Sequence, residues 1–281
     1  MIADGRLQIA DCRLQIQMTK PIYNPICNPI CNLQSAICNS ADAVLSVLLA
    51  PSCAACEALL EHPTSGPVCP SCWASILPLT PPLCDQCGDP LPAWRAISVP
   101  LARCPRCRRT TRLVDRSRAI GAYDGALRAI VHALKYEGRR SLARPLGRLM
   151  RRRGADVLDH AVCVIPVPLH ASRRRQRGFN QAMDLSRRLR MPVVPALRRV
   201  RATATQTGLP AAQRHRNVRD AFAVTRAARG LAGAIVVLVD DVSTTGATLE
   251  ACARVLKQAG VREVRALTAA RVVGRLTATA D

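Results

Sequence analysis

Two adjacent carboxylates, Asp240 and Asp241, stand between an apolar run and a hydroxyl-rich run. The apolar run, Ile235 to Val239, is mostly β-branched. It is too short for a free-standing helix and reads as a buried strand. Ser243-Thr244-Thr245-Gly246-Ala247-Thr248 follows the acids, small and rich in hydroxyls. Leu249, Cys252, Val255 and Leu256 then recur at helical spacing, and Ala259-Gly260 closes the helix. In an open α/β sheet, ligands bind at the carboxyl ends of strands. A helix N-terminus offers free N–H groups and a positive dipole end, which suit a phosphate. Two carboxylates beside it suit the vicinal hydroxyls of a ribose, directly or through Mg²⁺. The segment therefore reads as a site for a ribose bearing a 5-phosphate. The blander alternative is a sheet strand that happens to end in a polar turn.

A second chemistry lies upstream. Four Cys-x-x-Cys pairs occur at Cys53/Cys56, Cys69/Cys72, Cys84/Cys87 and Cys104/Cys107. A Cys-x-x-Cys turn presents two thiolates to one tetrahedral Zn²⁺, and a second pair returning across a short hairpin completes the site. The simplest pairing is two Cys₄ ribbons in series; the sequence does not exclude interleaved pairing. With four cysteines per site no coordination position stays open, so the two zinc ions expected here are structural. Prolines at 63, 67, 78, 81 and 82 leave this module little core, so it needs metal to fold. Redox chemistry would want one pair at a helix N-terminus rather than four in tandem. Structural disulfides would require secretion. Cys163 and Cys252 lie in apolar runs and read as core residues.

The elements that must position the carboxylates follow in order. Arg118 to Tyr123 is a strand. Leu127, Ile130, Val131 and Leu134 mark one helix face, and Leu142, Leu146 and Leu149 a second helix ending near Gly154. Val162 to Val167 is a buried strand stopped by Pro166-Val167-Pro168. An arginine-rich turn, Arg173 to Arg177, precedes a helix through Leu185 and Leu189. Residues 200–217 read as a long mobile loop. The Asp-Asp strand, its helix and a last strand at Val264 to Ala269 complete the series. Strands alternating with helices give an α/β fold with a mainly parallel sheet flanked by helices. His132, His170 and His215 read as structural histidines.

The run Asp240, Asp241, Thr245, Gly246, Thr248 resembles the phosphoribosyl-pyrophosphate (PRPP) signature of type I phosphoribosyltransferases. The resemblance widens along the chain. The Cys-x-x-Cys ribbons come first, then a helix ending Leu134-Lys135-Tyr136, then Ile165-Pro166-Val167-Pro168. Arg175-Gln176-Arg177-Gly178-Phe179-Asn180-Gln181 and the spaced Thr203, Gln206 and Leu209 follow, before the acidic signature. That ordered set, from about Ala43 to Val273, is similar to the ComF family, zinc-ribbon phosphoribosyltransferase-like proteins linked to bacterial DNA uptake. The second half also resembles the transferase half of glutamine PRPP amidotransferase, without the glutaminase half. The resemblance implies a type I phosphoribosyltransferase fold behind a small zinc-ribbon domain, and transfer at C1 of Mg²⁺-bound PRPP. Asp240 and Asp241 would be catalytic and hold the ribose. Ser243, Thr244, Thr245, Gly246, Ala247 and Thr248 would bind PRPP through its 5-phosphate. Arg173, Arg175, Arg177, Lys135 and Gln206 would face the pyrophosphate or close over it. The implied partners are PRPP and either single-stranded DNA or a DNA-processing helicase. Two alternatives stand beside this reading: a PRPP sensor without turnover, and a nucleic-acid-handling factor that uses the ribbons and an arginine-rich surface.

Composition sets the outer bounds. The 281 residues suffice for one sizeable domain and a small one, read here as 43–112 and 116–281. The net charge is +22, and of 41 basic residues all but Lys20, Lys135 and Lys257 are arginine. Such an excess reflects either GC-rich coding or attraction to polyanions such as PRPP or nucleic acid. Aromatics at 2% argue against base-stacking platforms. No apolar stretch reaches the ~18 residues of a membrane span, and the short run Ala43 to Ala50 lacks a preceding basic segment, so a cytoplasmic protein is expected. Residues 1–42 read as a disordered or wrongly assigned tail. Ala10 to Ile16 can be coded so that the reverse complement translates as Asn32 to Cys38, the mark of a translated inverted repeat ahead of the true start. Peptides from residues 1–35 in the endogenous protein would sink that idea.

Overall fold

The computed structural model describes residues 40, 42–45, 48–91, 103–201 and 220–273. Four strands form one parallel sheet: β1 (Arg116–Ala122), β2 (Cys163–Pro166), β5 (Ile235–Ser243) and β6 (Glu263–Arg271), in the order β1-β6-β5-β2. Two short antiparallel strands, β3 (Leu197–Arg199) and β4 (Phe222–Val224), stand apart from it. They hold together the ends of the segment read as a mobile loop, most of which lies outside the described residues. Gln206, Thr203 and Leu209 fall there too.

The central strand explains why its sequence is a continuous apolar run. Val237 and Val239 join the core on one face of the sheet; Val236 and Leu238 join the core on the other. A strand covered on both faces has no polar side to show. On the first face pack α3 (Gly125–Tyr136) and α4 (Ala143–Arg153), through Leu127, Ile130, Leu134, Leu146 and Met150. Asp124 caps α3, its carboxylate accepting the Gly125 N–H at 2.9 Å. On the second face lies α8 (Ala247–Gln258), through Leu249, Cys252 and Leu256, with the β3–β4 hairpin beside it. Cys163 and Cys252 are buried, as expected of core residues. Removing the Leu238 side chain, fully buried between these layers, costs about 2–5 kcal/mol by the usual cavity argument.

The short helices α1 (Pro70–Ala74) and α2 (Pro105–Arg109) each carry one cysteine of a returning pair and start on proline, whose fixed φ suits a first helical position. The first ribbon closes the β1 edge of the sheet. Leu77 O accepts from Ala122 N at 3.1 Å, and Pro78 pairs with Gly121. A covered edge offers no template for unwanted pairing. Of the first 42 residues, only Ser40 and Asp42 are described. Asp42 is buried and accepts from Thr64 N at 2.8 Å, so the ordered fold takes in the last residue of the stretch read as tail.

Three local readings change. The β5 strand runs four residues past Val239, so the two carboxylates lie within it rather than after it. The arginine run is not a turn but the helix α6 (Ala171–Arg177), capped by the His170 side chain, which accepts from Ser172 N at 3.3 Å, and ended by Gly178. That gives His170 the structural role expected of it. The helix through Leu185 and Leu189 is shorter than its pattern. Its regular part is α7 (Gln181–Ser186), and Leu189 is buried beyond its end. The remaining helix, α5 (Ala155–Leu158), is a single turn between α4 and β2.

Candidate functional site

Asp240 and Asp241 are neighbours in β5 but have different surroundings. Asp241 is 3% exposed. Its Oδ2 meets Lys135 Nζ at 2.8 Å and accepts from Gln181 Nε2 at 2.9 Å, while Oδ1 accepts from Val242 N at 2.7 Å. Burial opposes ionisation of Asp241, but Lys135 and these hydrogen bonds outweigh it and hold the carboxyl below its ordinary range. Lys135 is the mirror case. Burial works against its charge, Asp241 more than offsets that, and its pKa stands above the usual lysine value. Asp240 is half-buried, and its Oδ1 accepts from Asp241 N at 2.8 Å. Burial of its charge, with the Asp241 anion adjacent, pushes its carboxyl up to about 8. On its side lie α8 and β3, where its charge helps to raise the buried Cys252 thiol and tempers the lowering of the Arg199 guanidinium.

The hydroxyl run makes the turn from β5 into α8. Gly246 is the N-cap residue with φ +81°, a left-handed conformation that suits glycine, and it provides no capping side chain. Thr245 Oγ1 accepts from Ala247 N at 3.3 Å. Ser243 is buried, whereas Thr244, Thr245 and Thr248 are half-buried. Glu250, in the first turn of α8, is bound by Leu113 N at 2.8 Å and by Arg112 Nη1 at 3.4 Å.

The predicted basic residues divide. Lys135 sits on Asp241, as above. Arg177 stacks over Tyr136 at 5.2 Å and donates to Gln181 Oε1 at 2.9 Å, so it reaches Asp241 through Gln181. Arg173 comes near enough to lower the Arg199 pKa, after burial, placing it on the Asp240 side. Arg175 is exposed on α6. Gln181 closes the Arg175 to Gln181 motif of the family resemblance but is not among the site residues expected from the sequence; its signal is that motif and its place at the start of a helix after Asn180. Asn180 caps that helix by accepting from Ala182 N at 3.1 Å.

The eight ribbon cysteines form two clusters in series: Cys53, Cys56, Cys69 and Cys72, then Cys84, Cys87, Cys104 and Cys107. In each, the sulfurs lie within 4.8 Å of one another. The interleaved pairing is thereby excluded. A tetrahedral zinc with bonds of ~2.3 Å requires sulfur–sulfur edges of about 3.8 Å. Cys56 and Cys69 stand 3.8 Å apart, and Cys87 and Cys104 3.6 Å. Backbone N–H groups of Cys69 and Cys104 point at Cys53 Sγ and Cys84 Sγ, both at 3.3 Å, which favours thiolates. The donors fit zinc.

A double set of tetrathiolate sites ahead of a parallel sheet with this acidic strand end defines a zinc-ribbon protein of the phosphoribosyltransferase class. Residues 44–108 match the double zinc ribbon domain, and residues 175–276 the phosphoribosyl transferase domain. Competence protein F of Haemophilus influenzae is 31% identical over 229 residues, covering 78% of this chain and 96% of that protein. DNA utilization protein YhgH of Salmonella typhi is 35% identical over 65% of this chain and 81% of its own length. The chain belongs to the ComF family. Among solved structures, the allosteric regulatory enzyme of purine biosynthesis aligns at 20% identity with a TM-score of 0.32, over 49% of this chain and 30% of that one. Among the described residues, no helix is long and apolar enough to cross a membrane.

Proposed function

We propose that this chain is a phosphoribosyltransferase that binds Mg²⁺-PRPP at the carboxyl end of β5. The observation that carries the reading is the Asp240–Asp241 pair running directly into the left-handed Gly246 cap of α8. The cradle from Ser243 to Thr248 takes the 5-phosphate on backbone N–H groups and hydroxyls. Asp240 and Asp241 hold the ribose hydroxyls. The pyrophosphate lies toward Lys135, Arg173 and Arg177, with Arg175 at the outer rim. Mg²⁺, a hard cation matched by carboxylate and phosphate oxygens, supplies charge neutralisation for the leaving pyrophosphate.

The two acids then have separate tasks. Asp241 is spent on Lys135 and Gln181 and keeps the floor of the site in place. Asp240 has a raised pKa because burial and the adjacent Asp241 anion leave its charge poorly compensated. That same anion gains most when positive charge develops on the sugar ring as the C1–oxygen bond breaks. Pyrophosphate departs with the bonding pair, and the acceptor's lone pair makes the new bond to C1.

The relatives' names, Competence protein F and DNA utilization protein, support a part in DNA uptake or use; within this proposal the chain works in the cytoplasm, with DNA or a DNA-processing helicase as partner. Calorimetry of the full, zinc-loaded chain with Mg²⁺-PRPP tests the reading. Binding is expected in the wild type and not in the folded double variant Asp240→Asn, Asp241→Asn. A wild type that does not bind overturns it. Release of pyrophosphate separates turnover from sensing alone.

A further inference from the structure

Two contacts run from the second ribbon into the phosphate cradle. The first passes through Arg271, at the end of β6, whose side chain is 4% exposed. Its Nε donates to Asp89 Oδ1, and its Nη1 donates to Ser243 Oγ at 3.3 Å. Asp89 lies two residues past Cys87, in a knuckle closed by Cys84 N to Asp89 O at 2.7 Å and Gly88 N to Cys84 O at 2.9 Å. The knuckle is pressed against β1: a Cβ on Gly88, whose φ is +73°, would stand 2.6 Å from the Ser117 carbonyl oxygen. Arg106, between the two cysteines of the returning pair, holds the other Asp89 oxygen at 3.1 Å. Both halves of the second metal site therefore fix Asp89.

The second contact passes through Arg112, five residues after Cys107 and 9% exposed. It lies against Glu250 in the first turn of α8, and its Nη1 would be 3.3 Å from a Cβ at Gly246. Two buried cations thus flank the turn from Ser243 to Glu250. Among the described residues each keeps one buried donor without a hydrogen-bond partner, Nε in Arg112 and Nη2 in Arg271. Buried cations with unsatisfied donors are costly alone and are relieved by a nearby anion. The first ribbon docks elsewhere. Cys53, Leu60, Val68 and Ile76 pack into the core of α3, and Ser52 O accepts from Arg139 at 3.2 Å.

We propose that the second ribbon is a positioning element of the phosphate cradle. Asp89 and the Cys107–Arg112 segment hold Arg271 and Arg112 against the turn, so a phosphorylated ribose in the cradle and metal at Cys84, Cys87, Cys104 and Cys107 stabilise each other. The inference rests on the PRPP-binding reading above. Coupling between two binding sites is reciprocal: what PRPP gains from an intact second ribbon, that ribbon gains from PRPP. The first ribbon has no such share.

The test uses the full, zinc-loaded chain. A zinc-selective chelator that spares Mg²⁺ is added with and without PRPP, and freed thiols are trapped with N-ethylmaleimide and located by mass spectrometry. PRPP is expected to slow labelling of Cys84, Cys87, Cys104 and Cys107 by about five-fold or more, the lower end of ordinary couplings. Labelling of Cys53, Cys56, Cys69 and Cys72 stays as it was. Asp89→Asn removes the slowing and weakens PRPP binding by a similar factor, and Asp89→Glu restores part of both. If Asp89→Asn fails to retain metal, the wild-type labelling pattern alone decides. Equal protection of both ribbons, or of neither, by a wild type that binds PRPP overturns this inference and leaves the PRPP reading standing. A wild type that does not bind PRPP overturns both.

Discussion

Replacing Lys135 with methionine removes one charge from the floor of the site while keeping a similar stem. Lys135 Nζ lies 2.8 Å from Asp241 Oδ2, with side chains 24% and 5% exposed. Breaking a buried ion pair from one side costs about 3–5 kcal/mol, because the remaining charge is left without its partner. Here Gln181 and Val242 N still serve the carboxylate, and Lys135 has some contact with solvent, so a loss of about 2–3 kcal/mol is expected. For a chain of this size that lowers the thermal midpoint by roughly 4–12 °C. The pH dependence is more diagnostic. Asp241 has a lowered folded pKa, so its contribution is present above the unfolded carboxylate value and is lost as pH falls through the folded value. Lys135 has a raised pKa, so its contribution persists until pH rises past the lysine range. The cost of Lys135→Met is therefore largest near neutral pH and is lost only as pH falls below the ordinary carboxylate range, through the lowered folded value of Asp241, where a protonated Asp241 needs no counter-charge. Adding Asp241→Asn returns most of the loss, a coupling of about 2 kcal/mol in the double-mutant cycle. Circular dichroism melts of the zinc-loaded variants at a series of pH values read all of this. An unchanged midpoint near pH 7, or a loss equal at both ends of the pH range, refutes the assignment of Lys135 as the charge partner of Asp241.

The raised pKa of Asp240 means the folded chain holds that proton more tightly than the unfolded one, so stability falls as pH rises from the ordinary carboxylate range toward about 8. Asp240→Asn is expected to stabilise the unliganded protein by at least about 1 kcal/mol near pH 8 and by little near pH 4 while abolishing PRPP binding; a variant less stable than wild type at the higher pH contradicts the charge argument. Gly246→Ala places a Cβ on a residue with φ +81° and 3.3 Å from Arg112 Nη1. It should cost about 1–2 kcal/mol in urea unfolding and weaken PRPP binding more than ten-fold; unaltered affinity would separate the cap from the ligand.

The central strand was legible because its physics is local. Five apolar residues can satisfy two covered faces only inside a parallel sheet, and the acids after them had to stand at its carboxyl end. The cysteine pairs were legible for the same reason, since a Cys-x-x-Cys turn is itself half a metal site. Where the competing structures are close in energy, the reading slipped. The arginine run carries no apolar period, so nothing in it announces α6; the helix is marked only by a histidine cap at one end and a glycine at the other. The β3 and β4 strands are three residues each and pair across a long segment, too short for alternation to register. The least legible contacts are the longest in sequence. Arg271 reaches Asp89 across 182 positions, and Arg112 reaches Glu250 across 138. In a chain with 41 basic residues nothing distinguishes these two arginines by type. Topology distinguishes them: β6 ends beside β5, and the link from the second ribbon to β1 passes the first turn of α8. Both arginines are thereby carried to the turn proposed to receive the phosphate.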